Sequence, residues 1–410
     1  MIVIMFSENI QELKEPIITC QYMLDKYPQF LNVNLDEGYS FENSDSLKLA
    51  PTMKFATIED AQEITEIFKE VYQGTYPYKI MEDVDEVRNM IKSPNFNWVV
   101  FKLNFQELIG CVGFHFDFDN KKGYLFGFAF KKKYHGATDI ITATIAGMVS
   151  ILSRFKDKIL IWYAEIRSSF TSIQYIAKVL GFRPISFLPN KDIFYNKNES
   201  EFLFVMYNEK TFTSLRSKDI PRIITPVINC YFHSFQKFGI GLPQVENYPQ
   251  LYIDINATNY YEKRILKRVE TDIYGNELIT LSLKGKDSYI QFIHYPNIRI
   301  IEKTIFKISD IEELYVFVNE INLLIKKLKI RYFEVYLSAY DPIIQSIFNN
   351  AGFKPTGYVP AWNYNESTKL FEDEIVFVYY EKQLVNNIKL IGETSKFLKT
   401  TKQFKLLNKK

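Results

Sequence analysis

The sequence predicts a mixed α/β protein made of two similarly built halves. The main observation is an internal repeat at an offset of 171 positions: Gln174, Gly181, Phe182, Pro184 and Pro189 recur as Gln345, Gly352, Phe353, Pro355 and Pro360. Each copy also carries an apolar run followed by a helical stripe. Because solenoid repeats have much shorter units, a period of this length indicates duplicated domains.

Length and composition agree with this fold class. At 410 residues the chain is expected to form two or three domains. Its 47% apolar and 24% charged residues are typical of a soluble globular protein, which excludes a fully disordered chain, a collagen and a disulfide miniprotein. A formal charge of +2 argues against a protein that binds polyanions over its whole surface, so no nucleic-acid partner is predicted for the chain as a whole.

Each repeat copy is predicted to be a β–α–β unit. The apolar runs at 159–166 and 332–337 favour strands covered on both faces. Gly181 and Gly352 then end the helices, since a residue without Cβ readily adopts positive φ. The helical stripes between them consist of Ile173, Ile176, Ala177 and Leu180, and of Ile344, Ile347, Phe348 and Ala351.

A longer helix precedes each unit, at 138–155 and at 310–328, where apolar residues recur at helical spacing. These elements predict domains at 52–209 and 222–383. Residues 1–51 are interpreted as an appended segment and 210–221 as a linker. Residues 384–410 form a basic tail, interpreted as a solvated extension; contact with an acidic partner, a nucleic acid or an anionic membrane surface is the alternative.

Metal and membrane sites have little support in the sequence. The three cysteines are far apart and the four histidines form no HExxH pattern, so neither a disulfide framework nor a zinc site is predicted. No apolar run is long enough to span a membrane, and the apolar start of the chain stops at Ser7 without a basic leader. A cytoplasmic protein is therefore expected.

The order of elements in the first half resembles that of the GNAT superfamily of N-acetyltransferases. The resemblance begins at Phe55–Ala61, where Thr57 and Asp60 are close to a capping box, and continues through strands at 97–103, 107–116 and 124–130 into a turn and the long helix. It implies that acetyl-CoA, or another acyl-CoA, binds at the strand end and turn. The residues implied are Phe128, Phe130, Lys132, Lys133, Tyr134, His135, Gly136, Ala137 and Thr138.

Physical chemistry supports an anion site at this turn. A helix N-terminus presents unpaired N–H groups and partial positive charge, three lysines precede it, and Gly136 permits close backbone approach. The turn departs from the family pattern, because Thr138 and Ile140 occupy positions where the family has small residues. A solvated lysine hairpin is the alternative interpretation.

Two residues are predicted to be catalytic. Glu165, close to the end of a buried strand, is a candidate general base, although it could instead pair with Arg167 or a lysine. Many family members carry a tyrosine that protonates the leaving thiolate, four residues before the Gly-Phe glycine. Here Ala177 holds that position, and Tyr175 is the candidate acid, with a half-exposed packing role as its alternative.

The second half is predicted to keep the fold without the cofactor site. Its equivalent turn, 302–310, lacks glycine, contains Phe306 and Ile308, and is flanked by acids. The first function hypothesis is an N-acyltransferase that acylates a primary amine, on a small molecule or a protein, by direct transfer in a ternary complex. The second domain would close the acceptor cleft or recruit a partner. The alternative is a non-catalytic tandem module that acts as a sensor or scaffold.

Overall fold

The computed structural model describes residues 19–40, 51–104, 106–134, 138–247, 249, 251–381, 384 and 387–403, with the backbone alone at 138–139. Within these ranges, no helix combines the length and apolar character that crossing a membrane requires. The fold is a mixed α/β structure organised around one large sheet.

Seventeen strands are present in the described chain. Those of the first half are β1 (Tyr39–Ser40), β2 (Thr52–Phe55), β3 (Phe96–Leu103), β4 (Glu107–Asp117), β5 (Lys122–Phe130), β6 (Ile161–Arg167), β7 (Arg183–Phe194) and β8 (Lys197–Tyr207). Those of the second half are β9 (Arg222–Ile224), β10 (Gln244–Glu246), β11 (Ile265–Thr271), β12 (Glu277–Leu283), β13 (Tyr289–Tyr295), β14 (Ile300–Lys307), β15 (Tyr332–Ser338), β16 (Lys354–Asn365) and β17 (Leu370–Tyr380).

The α-helices of the described chain lie between and beside these strands. They are α1 (Cys20–Lys26), α2 (Ala61–Tyr72), α3 (Val84–Lys92), α4 (Thr138–Phe155), α5 (Thr171–Val179), α6 (Ile228–Phe238), α7 (Ile255–Glu262), α8 (Ile311–Lys327), α9 (Pro342–Asn350) and α10 (Gly392–Thr400). Helix α4 has the predicted bounds. Helix α8 begins one residue later than predicted, because Asp310 is its N-cap and accepts a hydrogen bond from the Glu313 amide.

Fifteen strands form a single sheet in which the two halves have mirrored strand orders. The first half ends in β6-β8-β7 and the second begins with β16-β17-β15, so β7 and β16 meet at the centre. They pair at Ser186 and Gly357. A Cβ on Gly357 would lie 2.4 Å from the Ser186 Cβ, so only glycine permits this approach.

Two apolar clusters dominate the interior. One packs α4 and α10 against the first-half sheet, with Trp162, Phe204 and Phe397 in its core. The other covers the second half and continues across the junction, where Tyr207 and Tyr358 are fully buried. The segment interpreted as a linker contributes to the junction, since Arg216 donates two hydrogen bonds, of 2.8 and 2.5 Å, to buried Asp373.

The C-terminal segment 387–403 packs against the first half, unlike the solvated extension that the sequence suggests. The Lys389 amide donates to the Ser168 carbonyl at 2.8 Å. In the second half the Arg222 amide donates to Ala339, 171 positions after Ser168, at the same distance. The amide groups of Gln174 and Gln345 bind these two segments in the same way. The segment 387–403 therefore takes, in the first half, the place that 222–238 takes in the second.

Candidate functional site

A cavity of about 440 Å³ lies where the parallel strands β5 and β6 diverge. The strands pair from Lys122 and Ile161 as far as Leu125 and Ala164, and the pairing then stops. A register shift in the β4–β5 ladder and the positive φ of Gly127, 60°, bend β5 at this point. A Cβ at Gly127 would lie 3.0 Å from the Phe68 ring. The bend therefore requires glycine for two reasons: the backbone has a positive φ, and the neighbouring ring leaves little space for a side chain.

The cavity is lined from both faces of the sheet. Because side chains alternate along a strand, Ala164 and Ile166 face α4 and α5, whereas Glu165 and Arg167 face the opposite side. On the helical side the lining includes Ile140, Thr144, Ile173, Ile176 and Ala177. On the opposite side it includes Tyr72, Tyr76, Tyr78, Phe194 and Tyr195. A ligand in the cavity can therefore reach from the first turns of α4 to the far face.

Three carboxylates of the described residues line the cavity: Glu165, Asp192 and Glu201. Burial raises the pKa of Asp192 to about 7, against the opposing effect of Lys191, and the Tyr78 hydroxyl donates to it at 3.3 Å. Burial also raises the pKa of Glu201 well above its ordinary value, and the Asp192 and Glu165 charges add to that shift. The cavity therefore contains one carboxyl group, Asp192, that exchanges a proton near neutral pH, beside a second, Glu201, whose protonated form is favoured by burial.

Lys191 connects the site to the second half. Its ammonium group, 1% exposed, lies 2.5 Å from Glu165, 3.4 Å from Glu302 and 3.3 Å from Glu334. Burial acts against the charge, but these three carboxylates hold the pKa of Lys191 well above its usual value. Glu165 is thus ion-paired with a lysine, which was one of the two alternatives open from the sequence. The Tyr124 hydroxyl also lies 3.4 Å from Glu165.

Arg167 does not pair with Glu165. Its guanidinium donates to both carboxylate oxygens of Glu199, at 2.8 and 2.6 Å. It also lies 3.9 Å from the centroid of the Phe194 ring. This bidentate pair and the aromatic contact fix Arg167 in the cavity wall.

The predicted cofactor residues divide into three groups. Phe128 and Phe130 line the cavity. Lys133 lies 2.7 Å from Glu107, the Tyr134 hydroxyl donates to the same carboxylate at 2.9 Å, and Lys132 is exposed. His135, Gly136 and Ala137 lie outside the described residues, and α4 begins at Thr138. Glu107 therefore offsets part of the positive charge beside the helix start.

The two predicted catalytic residues lie at different depths. Glu165 is partly buried in the cavity wall, with its side chain 16% exposed, whereas Tyr175 is 52% exposed at the cavity edge. Ala177, at the position of the family tyrosine, is buried and faces the cavity. His115 stacks on Phe96 with ring centroids 4.4 Å apart, and burial lowers its pKa.

Sequence reasoning missed Asp192, Glu201 and Lys191. The available signal was the presence of charged residues inside two otherwise apolar strands, β7 and β8, where a buried charge normally requires a partner or a function.

The equivalent helix start in the second half is filled by acidic side chains. Asp310 accepts from the Glu313 amide at 2.9 Å, and Glu313, fully buried, accepts from the Ser309 amide at 2.9 Å. Lys286 binds both carboxylates. The Glu313 amide in the first turn of α8 and the Ser309 amide before it are thus already hydrogen-bonded to side chains, and a bound diphosphate would meet negative charge there.

The chain is similar in part to several solved acetyltransferases, whereas no family model and no curated protein matches it. One is a spermidine N-acetyltransferase chimera from Vibrio cholerae and hSSAT, with 16% identity over 39% of this chain and 96% of that one, at a TM-score of 0.33. Another is a ribosomal-protein-S5-alanine acetyltransferase from Vibrio fischeri, with 16% identity over 42% and 97% of the two chains and a TM-score of 0.34. A third is the microcin C7 self-immunity acetyltransferase in complex with acetyl-CoA and AMP, with 12% identity over 38% and 92% and a TM-score of 0.32.

Proposed function

We propose that the protein is an acyl-CoA-dependent N-acyltransferase, with acetyl-CoA as the simplest donor and a primary amine as acceptor. The observation that carries this proposal is the cavity at the divergence of β5 and β6, which joins the first turns of α4 to buried Asp192 and Glu201 and to partly buried Glu165 on the other sheet face. Such a passage suits two substrates that approach a common point from opposite sides and react by direct transfer.

The residues on the α4 side fit an acyl-CoA. Strand β5 beyond Leu125 has no paired strand on its β6 side, so its backbone groups there can hydrogen-bond an extended amide-bearing chain. Phe128, Phe130 and Ile173 supply apolar contacts. The N-terminus of α4, with Lys132 and the other residues predicted at 133–138, would hold the diphosphate. When bound, the cofactor supplies the thioester.

The carboxylates on the far side fit an amine acceptor. In the proposed reaction the amine nitrogen forms a bond to the acyl carbon, the C–S bond breaks and the amine proton passes to a carboxylate. Asp192 is the proposed proton acceptor, because its pKa of about 7 suits proton transfer at neutral pH. Glu165 is the alternative base, and the Lys191 ammonium group at 2.5 Å stabilises its ionised form. Tyr175 at the cavity edge is the proposed proton donor to the thiolate.

We further propose that the chain is a tandem arrangement, with an active domain at 52–209 and a degenerate one at 222–383. The mirrored strand orders and the 171-residue offset of Ser168 and Ala339 support a duplication. The carboxylates at the start of α8 support the loss of the second cofactor site. In this proposal the second domain completes the wall around Lys191 through Glu302 and Glu334.

The proposal is tested with the full chain, acetyl-CoA and a panel of amines. Calorimetry should detect cofactor binding, and release of free thiol should depend on the amine. Ala164→Trp, which fills the gap between the strands, should abolish binding, whereas Leu323→Trp on the exposed face of α8 should not. Absence of binding at millimolar cofactor would refute the enzyme. Binding without thiol release for any amine would favour a sensor or scaffold.

A further inference from the structure

Among the described residues, the wall of the cavity on the acceptor side contains more carboxyl groups than cationic side chains. Of the three carboxylates that line it, the only one with an ion pair among the residues the structure describes is Glu165, with Lys191. Lys191 is itself shared with Glu302 and Glu334 from the second half. The single charge of Lys191 is therefore shared among Glu165, Glu302 and Glu334, and Lys191 forms no ion pair with Asp192 or Glu201.

Glu201 is the least compensated of these groups. Glu201 is only 4% exposed to solvent, yet it lines the cavity. Within the described part of the chain, no side chain or amide donates a hydrogen bond to its carboxylate and no cation pairs with it. Because an unpaired buried carboxylate is destabilised by several kcal/mol, it either takes a proton or binds a cation that enters the cavity.

Aromatic rings surround the same part of the cavity. Tyr72 and Tyr76 pack with ring centroids 4.6 Å apart, and Tyr195 lies 6.2 Å from Tyr72. All three line the cavity. Aromatic faces attract cations, and together with a carboxylate they form a favourable environment for an ammonium group.

We propose that Glu201 binds a second and still protonated nitrogen of the acceptor, so that the acceptor class is a diamine or polyamine. The reason is one of charge. The reacting nitrogen must lose its proton before its lone pair can attack, so it cannot neutralise Glu201. A further cationic nitrogen in the same molecule can. The assignment as an acceptor rests on the proposed function, whereas the cation site itself does not.

Binding without any acyl-CoA tests this site directly. On the full chain at pH 7, 1,4-diaminobutane should bind at least about tenfold more tightly than 1-aminobutane, since a charge-assisted hydrogen bond contributes roughly 1.5–3 kcal/mol. Glu201→Gln should reduce this preference to less than about threefold. Asp85→Asn, at an exposed carboxylate of α3, should keep it. Equal binding of the two amines by the wild type, or a preference that survives in Glu201→Gln, would overturn the proposal.

A measurement on the wild type covers the case in which Glu201→Gln does not fold. Diamine binding stabilises ionised carboxylates, so it should release protons at pH 7, and the calorimetric enthalpy should differ between phosphate and Tris buffers. An enthalpy independent of the buffer would contradict the site. Among the described residues, the titratable and charged groups that face this region are Tyr72, Tyr76, Tyr78, Tyr124, Glu165, Arg167, Lys191, Asp192, Tyr195, Glu199, Glu201, Glu302 and Arg331.

The two proposals fail in different ways. If the protein prefers the diamine but releases no thiol from acetyl-CoA, the cation site is supported and the proposed acyltransferase activity is refuted. Acyl transfer to monoamines, with no preference for the diamine, would keep the acyltransferase and remove the Glu201 site.

Discussion

The guanidinium of Arg331 in the second half donates a hydrogen bond of 2.8 Å to the backbone carbonyl of Lys191 in the first half. It also donates to the carbonyls of Asn190 and, at 2.6 Å, Ile298. Arg331 is fully buried. The strand segment that carries Lys191 and Asp192 is thus held in place by a residue outside its own half.

Replacing Arg331 tests this positioning role. Arg331→Met should lower the free energy of unfolding by roughly 2–4 kcal/mol, because buried carbonyls lose charged donors. In the folded variant the KM for the amine should rise while the KM for acyl-CoA stays unchanged, since only the acceptor side is displaced. Urea unfolding and steady-state kinetics measure the two effects. Arg331→Lys keeps one charged donor group, so its unfolding free energy and its amine KM should lie between those of the wild type and Arg331→Met. If a destabilised variant has an unchanged amine KM, Arg331 has a purely structural role.

Ala177 offers a gain-of-function test of thiolate protonation, the role proposed above for Tyr175. A tyrosine there would project into the cavity, because Ala177 is buried in its wall. If protonation of the thiolate limits the rate, Ala177→Tyr should raise kcat by about a hundredfold, at the low end of general-acid contributions. Free-thiol release at saturating substrates measures it. Ala177→Phe is the matched control, and equal rates in the two variants would show that the added hydroxyl has no role.

The C-terminal helix should contribute strongly to stability. Phe397 is fully buried and packs edge-on against Phe202 and His233. Phe397→Ala should therefore lower the unfolding free energy by about 3–5 kcal/mol. Leu323→Ala, at a side chain 60% exposed, should change it by less than about 0.5 kcal/mol. Denaturant unfolding distinguishes them, and similar values for both variants would indicate a solvated tail in solution.

Stability should fall in acid partly because of His233. Burial, reinforced by the Lys237 charge, lowers its pKa to about 3, and one ring nitrogen contacts the Pro184 carbonyl at 3.0 Å. The unfolded chain takes up this proton below about pH 6.5, whereas the folded chain does not until about pH 3. The contribution is therefore complete above pH 6.5 and declines as the pH falls towards 3. Between pH 7 and 5 the wild type should lose about 2 kcal/mol more than His233→Gln. Parallel urea curves for the two proteins would contradict this.

The elements with strong local patterns could be predicted from the sequence. Helix α4 has its predicted bounds, because its apolar stripe is continuous over five turns' worth of helical spacing. The β–α–Gly-Phe units also form as predicted, and Gly181 and Gly352 have the positive φ expected of helix stops, 91° and 101°. These features depend on residues close together in the chain.

The carboxylate-lined side of the cavity could not be predicted in this way. The register of β7 against β8 shifts between Leu188 and Asp192, so simple alternation does not reveal which side chains face the cavity. Glu302, Glu334 and Arg331 reach Lys191 only because β7 and β16 meet at the centre of the sheet. Nothing in their local sequence indicates that contact.

The docking of 387–403 onto Gln174 has a consequence for biosynthesis. The Gln174 amide, fully buried, donates to the Lys389 carbonyl at 2.8 Å and accepts from the Thr394 hydroxyl at 2.9 Å. A ribosome makes these partners more than two hundred residues after Gln174. During synthesis, the first half therefore lacks this contact until α10 has been translated. A chain truncated before α10 would leave Gln174 and the surface around it exposed, and thus more open to proteolysis.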